Sequence, residues 1–74
     1  MNNKEILTFT IFLIHSLSEF LGISPSKIYQ TLSFSKILDG YIIPNYDVLH
    51  TLGKEYLMED IISLVNERGL SWER

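Results

Sequence analysis

Asn3 to Gly22, NKEILTFTIFLIHSLSEFLG, is the stretch whose reading decides the fold. Between Leu7 and Leu13, threonines at 8 and 10 alternate with apolar residues, as in a half-buried strand. Over the full length a helical period wins. Turned at about 100° per residue, Ile6, Phe9, Leu13, Leu17, Phe20 and Leu21 fall on one face, widened by Leu7 and Ile14. Asn2 or Asn3 can cap the start, Glu5 suits the positive end of the dipole, and Gly22 can close the end in a left-handed conformation. The stretch is predicted to be a helix from Asn3 to Leu21. Ile11 and Phe12 fall outside its inner face, on either side of His15, where water is expected.

Outward from there the chain punctuates itself as a series of helices. Ser24 is a good cap, and Pro25 at the first helical position has no amide proton to waste. Ile28, Tyr29 and Leu32 should then face inward. Ser33 is placed to cap a further turn from Phe34 to Leu38, which Asp39-Gly40 would end. Tyr41-Ile42-Ile43-Pro44 reads as extended, because a residue before proline is pushed out of the helical region. Asn45 to Leu52 is expected as a two-turn helix closed by Gly53. Lys54 to Arg68 is the most regular element: Leu57, Met58, Ile61, Ile62, Leu64 and Val65 share one sector, and Glu55, Glu59, Ser63, Asn66 and Glu67 the other. Gly69 should terminate it, with Arg68 complementing the negative dipole end. Leu70 and Trp72 in the tail either fold back on the core or stay free for another chain. The fold class is all-α: one domain over residues 1–74, a compact bundle of four to five helices, the first and last long.

Composition narrows the chemistry. Seventy-four residues leave no room for a second core. With 46% hydrophobic residues the chain has ample core material, and disorder is excluded. The absence of cysteine excludes disulfides and thiolate metal sites and fits a reducing compartment. The most apolar run, Ile6 to Ile14, is far shorter than the ~20 residues of a membrane span. No basic region precedes it and no cleavage site follows, so a soluble, cytoplasmic protein without membrane partners is expected. The net charge of −3 is unevenly spread: residues 38–74 carry three basic against seven acidic side chains. Phosphate backbones repel such a surface, which argues against nucleic acid as a partner and for a protein, a basic one fitting best.

The clusters that could carry chemistry are sparse. Asp47 and His50, three apart after Pro44, could pair, with Tyr46 and Thr51 beside them. They lack the nucleophile that would complete such an apparatus; the plainer reading is Asp47 or Asn45 capping the short helix, with His50 bonded to backbone near a turn. His15 and Glu19, four apart, could offer two metal ligands, where a site needs three or four. Glu59 and Asp60 are adjacent and point to different faces. The four glycines are scattered at helix ends and form no phosphate loop. No catalytic residue, cofactor or metal is therefore expected. A helix-turn-helix is compatible with Gly22 in the first turn, yet Ser24 to Lys36 offers only Lys27, Gln30 and Lys36 to DNA.

The run Tyr41 to Tyr56, YIIPNYDVLHTLGKEY, followed by Asp60-Ile61-Ile62, resembles an uncharacterised family of small bacterial proteins catalogued as domain of unknown function 3791. The resemblance covers most of the chain, through Gly69, and rests on Pro44, Tyr46, Asp47, His50, Gly53 and Tyr56. It implies a stand-alone bacterial domain and no catalytic residues to carry over. Members look like companions of other small genes, including ADP-ribosyltransferase-like ones, which implies an antitoxin-like or accessory role. Read from the residues, the six matched positions have architectural jobs: a proline stop, a capped short helix, a glycine corner, and an aromatic locking the last helix.

What remains is surplus apolar surface. Ile11 and Phe12, with His15 between them and Trp72 in the tail, are the candidate partner-binding residues unless Tyr41–Pro44 or the tail covers them. The expected function is a non-catalytic module that binds another protein or itself. A helix-turn-helix regulator and a small ligand or enzymatic site around Tyr46, Asp47 and His50 are the alternatives.

Overall fold

The computed structural model describes residues 3–72. Four α-helices run in order: α1 Asn3–Leu21, α2 Pro25–Phe34, α3 Tyr46–Leu49 and α4 Lys54–Glu67, with a π-helix, Leu38–Ile42, between α2 and α3. No strand occurs among the described residues. The long helices fall where capping and periodicity place them. Of the two expected caps of α1, Asn2 lies outside the described residues.

α1 stops because Gly22 enters the left-handed region, at φ 70°. The amides of Gly22 and Ile23 both donate to the Ser18 carbonyl, and the Ser18 hydroxyl donates to Ile23 O, so the last turn is closed on itself. The chain axis then turns by 114°. Ser24, in extended conformation, accepts from the Lys27 amide at 3.3 Å and starts α2 with Pro25 behind it. α4 ends like α1: Gly69 has φ 69°, and the Leu70 amide donates to Val65 O at 3.1 Å.

The segment between α2 and α3 departs from the sequence reading. Ser33 caps nothing; α2 continues to Phe34, where Ser35 closes it by donating its hydroxyl to Leu32 O. Lys36 makes the turn with φ 68°. Tyr41 to Pro44 is not extended. The Ile43 amide reaches Leu38 O at 3.0 Å, one residue wider than an α-turn, and Ile43 itself is helical at φ −66°, ψ −48°. Burial outweighs the restriction before proline: only a coiled path turns Ile37, Leu38 and Ile42 all inward. Pro44, with no amide proton, ends the coil. α3 is a single turn rather than two. Asn45 does not cap it, since its amide group turns back to donate to Tyr41 O at 2.7 Å.

One core joins every element. Leu13, Ile14 and Leu17 of α1 meet Ile28 and Leu32 of α2, Ile37, Leu38 and Ile42 around the π-helix, Leu49 of α3, and Leu57, Met58, Ile61 and Val65 of α4. Trp72 folds back into this cluster. Arg68 ties the end of α4 to the end of α2 by donating to Ser35 O. Two aromatics expected inside are outside. Phe20 is 63% exposed, on the last turn of α1 where the chain swings away. Tyr29 sits about 100° round α2 from Ile28, on the flank opposite Thr31 and beyond Leu32, and is exposed. No single described helix is long and apolar enough to cross a membrane; α1 and α2 pass that test only as a bent pair.

Candidate functional site

α1 buries one side and offers the other. Ile6, Leu13, Ile14, Ser16 and Leu17 are buried, while Lys4, Thr8, Ile11, Phe12, His15 and Glu19 are exposed. Ile11 is 48% and Phe12 47% exposed. Among the described residues neither Tyr41–Pro44 nor the tail through Trp72 covers them. The first is wound into the π-helix, whose Tyr41 reaches Asp60 on α4, and the second is packed into the core. Leu7, expected to widen the inner face, instead lies beside Ile11 one turn earlier and is exposed, so the apolar surface extends along the helix.

Trp72 does not belong to this surface. It keeps 9% of its accessible area, because an indole of that size contributes more to a small core than to water. Its ring borders a separate groove of about 450 Å³ between α2 and the tail, lined by Lys27, Tyr29, Gln30, Phe34 and Leu70 among others. The sequence reading missed that groove; the apolar pair Leu70 and Trp72 after a glycine stop was its only trace.

Around α3 the polar cluster is arranged by ring stacking. His50 lies flat on Tyr46, with centroids 4.6 Å apart and planes 16° from parallel. Phe9 of α1 also meets Tyr46, with ring centroids 5.4 Å apart and planes 74° from parallel. Asp47 and His50 are both exposed, and neither lines either of the two described concavities. Of the six positions that carry the family resemblance, only Tyr46 is half-buried; Pro44, Asp47, His50, Gly53 and Tyr56 are exposed. Tyr56 therefore does not lock α4 from within. It stands near Tyr41, whose hydroxyl donates to Asp60 at 2.5 Å.

The carboxylates of α4 split as their spacing requires, Glu59 outward and Asp60 half-buried against Tyr41. Glu55, Glu59 and Glu67 make its outer side acidic. His15 and Glu19 gain no third ligand: among the described residues no three such side chains gather.

No curated protein and no solved structure matches this chain. The family model described as a protein of unknown function, DUF3791, matches residues 8–68, and the chain belongs to that family.

Proposed function

We propose that this chain is a protein-binding module with no chemistry of its own, engaging its partner through the outer side of α1. One observation carries the reading: Leu7, Ile11 and Phe12 stay exposed along one helix while a complete core forms without them. Contiguous apolar surface of this kind marks interaction sites. The acidic outer side of α4 would steer a basic partner toward it and set the orientation of encounter. The finer role we assign is accessory or antitoxin-like, holding the product of a neighbouring gene, as the family resemblance implies.

The test is a tagged full-length chain used as bait, beside the Ile11→Glu/Phe12→Glu double variant. The wild type should retain a partner, and the variant should lose it with helical circular dichroism unchanged. Equal retention by both, or none by either together with a monomer in sedimentation, would refute the reading.

A second reading is favoured by the 114° turn between α1 and α2 through Gly22, Ile23 and Ser24, which is helix-turn-helix geometry. In it α2 would present Lys27 and Gln30 to DNA. Such binding would weaken steeply with salt and with Lys27→Ala, and unshifted DNA mobility at low salt would exclude it.

A further inference from the structure

The exposed side of α1 is complementary to itself when reversed, and that property names its occupant. Lys4, Thr8, Ile11, Phe12, His15 and Glu19 are all exposed and recur at spacings of three and four, so they form one stripe along the helix. The midpoint of the stripe falls between Ile11 and Phe12. Thr8 lies as far before that midpoint as His15 lies after it, and Lys4 as far before it as Glu19 after it. A second α1 laid antiparallel across this side, about a two-fold axis through the midpoint, sets each Lys4 beside Glu19 of the other copy. Each Thr8 meets a His15, a hydroxyl beside an imidazole that can donate or accept. Ile11 of each copy meets Phe12 of the other next to the axis. A two-fold contact requires this self-complementarity of one patch. The parallel arrangement would set Lys4 against Lys4 and Glu19 against Glu19, which repels.

We propose that the α1 stripe binds a second copy of this chain, in antiparallel orientation. The proposal rests on the reading above that the outer side of α1 is an interaction surface, and takes a second copy, in place of a basic partner, as its occupant. Lys4 already holds an interaction within its own chain; its ammonium has three donors, so Glu19 of the second copy adds to that contact. A stripe about 22 Å long and one helix wide covers less than the ~800 Å² per partner of a stable complex. The dimer therefore exchanges with monomer as concentration changes.

The absence of cysteine lets single introduced thiols report the geometry. Under mild oxidation Ile11→Cys and Phe12→Cys should each cross-link to themselves. Lys4→Cys and Glu19→Cys alone should not, because the two copies of each lie about 22 Å apart along the axis, against the ~7 Å a disulfide can span. An equimolar mixture of those two variants should cross-link. In sedimentation equilibrium, Lys4→Glu should raise the dissociation constant about fivefold, the scale of two exposed ion pairs turned repulsive. Adding Glu19→Lys should restore it. Both charge changes suit the ends of the helix dipole, so a weakened dimer cannot be put down to a frayed α1. A monomer at all concentrations, or self-cross-linking of Lys4→Cys, overturns the proposal. If the double variant at Ile11 and Phe12 still loses a different retained protein, the interaction reading outlives it.

Discussion

Tyr41 donates its phenolic proton to Asp60 and so bolts the π-helix to α4 at the rim of the core. The hydrogen bond to Asp60 is the main reason its pKa is pushed up to about 12, with burial and the charge of Asp60 adding to it. The raised value fixes the sign of the pH dependence: the fold favours the protonated phenol. That stabilisation is complete below the ordinary tyrosine value near 10 and is lost as pH rises through about 12. An ultraviolet titration of the four tyrosines should show a last component near pH 12 that Tyr41→Phe removes. The same substitution should cost about 1 kcal/mol at neutral pH, the low end for a bond to a charged group because the site is partly exposed. An unchanged titration curve would mean that the contact does not form in solution. Nothing in the sequence joins positions 41 and 60. Spacing alone separates Glu59 from Asp60 onto different sides, but the partner of Asp60 arrives only because the π-helix coils.

Three left-handed residues end three elements: Gly22, Lys36 and Gly69, with φ of 70°, 68° and 69°. A Cβ at either glycine would meet nothing within 4 Å, so the penalty for a side chain there is in the backbone alone. Gly22→Ala and Gly69→Ala should each lose about 1–2 kcal/mol. Lys36→Gly should gain up to about 1 kcal/mol, less than the strain relieved because glycine also loosens the unfolded chain. Urea denaturation followed by circular dichroism measures both, and a destabilised Lys36→Gly would show that its conformation is held by contacts rather than tolerated. The two glycines and the Ser24-Pro25 start are legible because only a few residue types suit those positions. Lys36 is not, since lysine carries no mark of a left-handed turn. Tyr41–Pro44 was legible in principle: Ile37, Leu38 and Ile42 have helical spacing, and the restriction before proline hid it. The brevity of α3 was not legible, because Asn45 and His50 can serve a turn as well as a cap.

At the scale of the whole molecule, size explains the exposed side chains better than composition does. A hydrophobic share of 46% is ordinary, but a chain this short buries only about 60% of its unfolded surface. The interior takes Leu13, Leu17, Ile28, Leu32, Ile61 and Val65 and leaves Ile11, Phe12 and Phe20 exposed. The periodicity of α1 placed Ile11 and Phe12 outside correctly. It misplaced Phe20 because a helical wheel does not know where the next helix departs. Trp72 went to the core since no spacing constrained the tail. The most direct measurement is amide chemical-shift mapping of the isotope-labelled chain, diluted and concentrated, and again with any captured protein. Shifts and broadening gathered along the exposed side of α1 between Leu7 and Glu19 are predicted. An α1 that stays silent while the residues around Lys27, Tyr29 and Leu70 respond would contradict the account.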